Sequence, residues 1–177
     1  MRRPVPLRTL LTISGLCALA AIAAPAAGGA SKPSPPAYEM ARREVFIPMP
    51  DGVRLAADLF VPGGGKDGER FPVLLEYLPY RKDESRGRNH PLYSYFVRRG
   101  YVVARVDIRG TGNSEGRLIE YEYTDREQVD GEAVIDWLSK QPFSNGNVGM
   151  FGISWGGFNA IHMAMRNPPA LKAIIAV

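Results

Sequence analysis

The chain has 177 residues, 45% of them apolar and 23% charged, proportions that fit one globular domain and exclude wholesale disorder. Its net charge of +4 owes three units to Arg2, Arg3 and Arg8; without them 19 of the 22 basic residues stand against 18 acidic ones, so charge gives no support to nucleic-acid binding. Cys17 is the only cysteine, which excludes an intrachain disulfide and a thiolate metal site, and no metal or organic cofactor is indicated.

Arg2, Arg3 and Arg8 precede an uncharged run from Thr9 to Ser31 whose middle, Leu10–Ala24, is mostly Leu, Ile and Ala. A charged start, an apolar middle and a small-residue exit (Ala21-Ile22-Ala23, Ala24-Pro25-Ala26) predict a secretory signal peptide over residues 1–26. The mature protein is then secreted or periplasmic, with no membrane contact beyond the export signal. An uncleaved anchor is the alternative, since the run is nearly long enough to span a bilayer. Residues 27–40, rich in Gly, Ser and Pro, read as a linker, and a catalytic domain as occupying 41–177.

Short strand-like runs at Glu44–Pro48 and Arg54–Val61 flank the turn Pro50-Asp51-Gly52. Val73–Leu78 is a third strand. His90 falls in a loop before Pro91, and Tyr93, Phe96 and Val97 then share a helical face ended by Gly100. Tyr101–Ile108 reads as a strand buried on both faces. Thr124 and Glu127 pair as a capping box opening a helix with Val134, Trp137 and Leu138 on one side, which Pro142 ends. Asn147–Ile153 is a strand, Gly156–Arg166 a helix and Leu171–Val177 a last apolar strand. A hairpin followed by alternating strands and helices predicts an α/β class, a mostly parallel sheet with helices on both faces. Ending on an apolar strand with nothing to cover it, the sequence reads as truncated after about the sixth strand, within a domain that continues.

Two segments match G-x-S-x-G: Gly112–Gly116 around Ser114 and Gly152–Gly156 around Ser154. A nucleophile elbow needs a strand running straight into the serine and a helix leaving it, so that the hydroxyl stands above the sheet. Ser154 has both; Ser114 has neither and reads as a loop residue. The backbone N–H of Trp155, next in sequence, is then one oxyanion donor. Tyr80, after the third strand, either supplies a second donor from its hydroxyl or packs against the sheet end. In an α/β-hydrolase the acid and the histidine follow the nucleophile, yet the 23 residues after Ser154 hold no Asp or Glu, and His162 lies on the nucleophile's own helix, ~12 Å along its axis. The triad reads as incomplete within these 177 residues, and the fragment alone as having little activity.

Five blocks carry a family resemblance: Pro48-Met49-Pro50-Asp51-Gly52-Val53-Arg54-Leu55-Ala56, Pro79-Tyr80, Asp107-Ile108-Arg109-Gly110-Thr111-Gly112, Asn145-Gly146-Asn147-Val148-Gly149-Met150, and Gly152-Ile153-Ser154-Trp155-Gly156-Gly157. In this order they resemble the cocaine esterase / X-Pro dipeptidyl-peptidase (CocE/NonD) hydrolases over about Glu44 to Val177. The resemblance implies the α/β-hydrolase fold, a serine acyl hydrolase acting on a small ester, an amide or a short X-Pro peptide, and Tyr80 as an oxyanion donor. Relatives usually carry Tyr where this chain has Trp155, and they add a helical cap and a C-terminal β-sandwich. Asp107 and Arg109 belong to the family's loop signature and read as structural. The rival reading is a non-catalytic, truncated hydrolase-like protein or binding module; a lipase-type hydrolase is disfavoured because no glycine-rich oxyanion motif follows the third strand.

Overall fold

The computed structural model describes residues 32–118 and 121–177; the expected signal segment lies outside them, as does part of the linker. Six strands form one sheet: β1 Glu39–Pro48, β2 Arg54–Gly63, β3 Phe71–Leu78, β4 Val102–Asp107, β5 Ser144–Gly152 and β6 Leu171–Ala176. Three helices connect them, α1 Lys82–Val97, α2 Asp125–Ser139 and α3 Trp155–Arg166.

The spatial order is β1-β2-β4-β3-β5-β6. β1 and β2 are an antiparallel hairpin, and β2 pairs antiparallel with β4. From β4 onward the pairs β4–β3, β3–β5 and β5–β6 are all parallel. Parallel neighbours require crossovers, and the connecting helices supply them. α1 links β3 to β4, α2 lies between β4 and β5, and α3 links β5 to β6. The expected mostly parallel sheet is therefore what forms.

Side-chain alternation sorts the helices onto the two faces. On β3, Val73, Leu75 and Tyr77 join a core with Val134, Ile135 and Leu138 of α2 and Ala160 and Met163 of α3. Leu74 points the other way, into a second cluster where Tyr93 and Val97 of α1 meet Phe60 and Val103. All six residues of β4 are buried, as a strand covered on both faces requires.

Two local expectations need correction. β1 begins at Glu39, inside the stretch read as linker, because pairing with β2 continues out to Glu39↔Gly63. α1 begins at Lys82, so His90 and Pro91 lie within the helix and not in a loop before it. Proline inside a helix costs a hydrogen bond. Tertiary anchors on its first turns offset that cost: Lys82 is buried, Ser85 Oγ accepts from Arg105, and Arg86 Nε donates to Asp58 at 2.9 Å. β4 is buried on both faces as expected, and Arg105 is buried with it.

Candidate active site

β5 runs to the edge of the Ser154 turn, and α3 starts immediately after that serine. Ser154 has φ 56° and ψ −121° and caps α3 without a side-chain hydrogen bond. A non-glycine residue in that region is strained and persists only where its surroundings fix it. Here they do. Ser154 N–H donates to the Val177 carbonyl at 2.7 Å, and Val177 N–H to the Gly152 carbonyl at 3.0 Å. A Cβ on Gly152 would stand 2.3 Å from the Gly156 carbonyl carbon, so strand and helix touch backbone to backbone.

The structure brings Ser154, Tyr80 and Trp155 together. The Tyr80 hydroxyl donates to Ser154 Oγ at 3.2 Å, and Trp155 N–H donates to the Tyr80 oxygen at 3.3 Å. Tyr80 is 42% exposed. It is held from behind by a turn in which Arg81 adopts φ 55°. Among the described residues, Ser154 Oγ has no hydrogen bond to an imidazole or a carboxylate. His162 instead meets the Tyr123 ring edge-on, with centroids 5.5 Å apart.

Ser114 occupies a different environment. Its Oγ donates to the Asp107 carbonyl at 2.7 Å and accepts from Ala56 N–H at 2.8 Å, which pins the loop after β4 to β2. With its hydrogen bonds committed in this way, Ser114 is a structural serine. In the same loop Arg109 forks onto Asp130 at 2.7 and 2.8 Å and reaches Asp51 at 3.0 Å. The hydrogen bond to Asp130 is the main cause holding its guanidinium above the ordinary arginine pKa.

Asp107 ends β4. Its buried carboxylate accepts from Lys82 N–H at 2.6 Å and Asn113 N–H at 3.3 Å. Burial pushes its pKa up, against the pull of those two amides. Burial likewise opposes the charge on Lys82. The carboxylates of Glu44, Asp83 and Asp58, within 3.0, 3.0 and 3.4 Å, outweigh it and raise the ammonium pKa.

One group that the sequence assigns to a helix cap belongs to the site. Thr124 Oγ1 does accept Glu127 N–H at 3.3 Å, as a capping box requires, but the Glu127 carboxylate turns inward. Oε1 accepts from Trp155 Nε1 at 2.7 Å and Asn159 Nδ2 at 2.8 Å, and Oε2 from Tyr123 N–H at 3.2 Å. No local signal marks this, because the partners at 155 and 159 lie far along the chain.

The chain has known counterparts. A profile of the X-Pro dipeptidyl-peptidase (S15 family) matches residues 51–177. The chain belongs to that family. The cocaine esterase of Rhodococcus sp. (strain MB1 Bresler) is 39% identical to this S15 chain over 132 residues, which cover 73% of this chain and 22% of that protein. Among solved structures, a CocE/NonD family hydrolase from Staphylococcus aureus matches at TM-score 0.66 and 31% identity, over 77% of this chain and 27% of its own. An aminopeptidase from a marine sediment archaeon, Thaumarchaeota archaeon, matches at TM-score 0.67 and 29% identity, over 77% and 25%. The S15 chain thus spans about a quarter of the length of these relatives, and it shares with them the α/β-hydrolase type of fold.

Proposed function

We propose that this chain is the nucleophile-bearing part of a serine hydrolase that cleaves ester or amide bonds, X-Pro peptide bonds among them. The observation that carries the reading is the convergence of three atoms. Ser154 Oγ, the Tyr80 hydroxyl and the Trp155 N–H lie in one hydrogen-bonded chain with steps of 3.2 and 3.3 Å. A substrate carbonyl entering between them meets a nucleophile on its carbon and two donors on its oxygen. Attack by Oγ forms a tetrahedral intermediate whose negative oxygen the donors stabilise. Collapse expels the alcohol or amine and leaves an acyl group on Ser154, which water then releases.

Both steps need a base to take the serine or water proton and return it to the leaving group. Among the described residues, neither histidine hydrogen-bonds Ser154. We assign the catalytic histidine and its acid to positions beyond Val177, a reading supported by the family order of nucleophile, acid, base and by the quarter-length match. The 177-residue chain alone is then expected to hydrolyse esters poorly, with only oxyanion stabilisation to act.

The test is fluorophosphonate labelling of the exported fraction from the source, reading the modified peptide and the intact mass together. Label on Ser154, absent from Ser154→Ala, supports the reading. A folded, exported protein whose Ser154 stays unlabelled moves the assignment to a non-catalytic binding module.

A further inference from the structure

Glu127 is 0% exposed and forms no ion pair among the described residues. A buried carboxylate without a cation is expensive and survives only when its oxygens are satisfied. Here every donor is an N–H, and the set is unusual in what it joins. Trp155 and Asn159 are in the first turns of α3, immediately after the strained Ser154; Tyr123 precedes α2. Asn159 Nδ2 donates a second time, to the Tyr77 carbonyl at 3.1 Å, and the Tyr77 hydroxyl donates to the Glu127 carbonyl at 3.1 Å. Tyr77 sits on β3, three residues before Tyr80.

We infer that Glu127 is the positioning residue of the oxyanion site, tying the elbow that carries the Trp155 N–H to the strand that carries Tyr80. Fixing the α2–α3 contact would not require it, since apolar packing from Val134, Ile135, Ala160 and Met163 already fills that side of the sheet. The carboxylate does what apolar packing does not. It holds the Trp155 indole and the Asn159 amide at once, and so opposes relaxation of the left-handed Ser154 (φ 56°) at the first turn of α3. Through Asn159 it also sets the distance between the two donors. Tyr123 is drawn in by the same group, and its ring lies 5.1 Å from those of both Trp155 and Phe158, walling one side of the site.

The inference rests on the serine hydrolase reading, and one experiment separates their failures. The protein at its native length is compared with Glu127→Gln, Tyr80→Phe and the double variant. The readouts are the second-order rate of fluorophosphonate labelling at Ser154 and the melting temperature. Glutamine keeps one acceptor for Trp155 and Asn159 but turns an N–H₂ toward Tyr123 N–H, donor against donor. Glu127→Gln is expected to stay folded and label about 10- to 100-fold more slowly, in line with disturbing an oxyanion donor. Tyr80→Phe is expected to add little in that background, because both changes spoil one site. A folded Glu127→Gln that labels at the unaltered rate, or an effect that multiplies fully with Tyr80→Phe, overturns the positioning role. Failure of the unaltered protein to label overturns the hydrolase reading and this inference with it. Should Glu127→Gln not fold, Trp155→Phe decides: it removes the indole donor and leaves the backbone N–H in place, and an unchanged labelling rate overturns the role.

Discussion

Lys82 N–H donates to Asp107 Oδ1 at 2.6 Å, and that bond fixes the turn that carries Tyr80. Between Tyr80 and Lys82 stands Arg81 at φ 55°, a conformation a non-glycine residue leaves unless both sides are held. Asp107 holds one side through the Lys82 amide and the loop after β4 through Asn113 N–H at 3.3 Å. Asp107→Asn replaces one acceptor oxygen by an N–H₂ facing an amide N–H. A buried donor left unpaired costs about 1–3 kcal/mol. The variant is expected to melt several degrees lower and to label more slowly at Ser154, measured by calorimetry and by fluorophosphonate kinetics. Unchanged labelling in a destabilised variant would show that the turn holds Tyr80 without Asp107.

Tyr80→Phe tests the proposed oxyanion role of its hydroxyl apart from the scaffold. The side chain is 42% exposed, and among the described residues its hydroxyl bonds only Ser154 Oγ and the Trp155 amide. Stability should therefore hardly move. Removing one oxyanion donor typically lowers kcat by about 10²–10³-fold, and KM should change little, because the donor acts on charge that develops in the transition state. Ester hydrolysis by the native-length protein checks this; a loss confined to KM would reassign Tyr80 to ground-state binding.

Much of this site is legible in local chemistry. The elbow at Ser154 is a contiguous strand, turn and helix, so its signal sits within a dozen residues, and the same rule dismisses Ser114. The alternation of β3 and the apolar run of β4 announce a sheet covered on both faces. What the sequence does not expose is long-range pairing. Nothing near Glu127 distinguishes a capping carboxylate from one that reaches Trp155 and Asn159, since capping needs the same residue at the same place. Arg105 is hidden among Val102, Val103, Ala104 and Val106, and its partners Glu76, Tyr93 and Ser85 come from β3 and α1. Pro91 argues against a helix at His90, and contacts of Lys82, Ser85 and Arg86 with other strands outweigh that preference.

Two glycines should respond oppositely to alanine. Gly152→Ala would put a Cβ 2.3 Å from the Gly156 carbonyl carbon, where neither backbone can yield without opening the elbow. Overpacking of this kind costs about 1–3 kcal/mol or more, and Ser154 labelling should be lost with it. Gly87 lies within α1, with an ordinary φ and nothing within 4 Å of an added Cβ. Gly87→Ala should stabilise by about 0.5–1 kcal/mol, the usual gain from restricting the unfolded chain and favouring helix. Thermal melts of both variants check the pair, and a stabilised Gly152→Ala would refute the backbone contact at the elbow.

Acid should unfold the protein through its paired carboxylates. Arg109 holds the Asp51 pKa below 3.8 chiefly by a hydrogen bond, Lys82 does the same for Asp83, and Arg54 holds Glu115 below 4.5. For a group whose folded pKa is depressed, the unfolded chain binds more protons as pH falls, so its stabilisation is present above the unfolded value and lost as pH drops through the folded one. Asp107, raised by burial, works the other way: its folded form takes up a proton first and gains on acidification. Three groups oppose one, so the melting temperature should hold near neutrality and fall below about pH 4. Glu115→Gln tests the sign on a single pair. Its three bonds from Arg54, from the backbone N–H at 3.0 Å, from Nε at 3.0 Å and from Nη2, favour the ionised acid. The variant should melt below the unaltered protein at pH 7, by a margin that shrinks in high salt because the pair is exposed. The difference should shrink as pH falls below the unfolded carboxylate value and vanish once the folded Glu115 is itself protonated. A difference that persists undiminished once Glu115 is neutral would mean that its charge contributes nothing and that the loss comes from the amide N–H₂ set against the Arg54 donors.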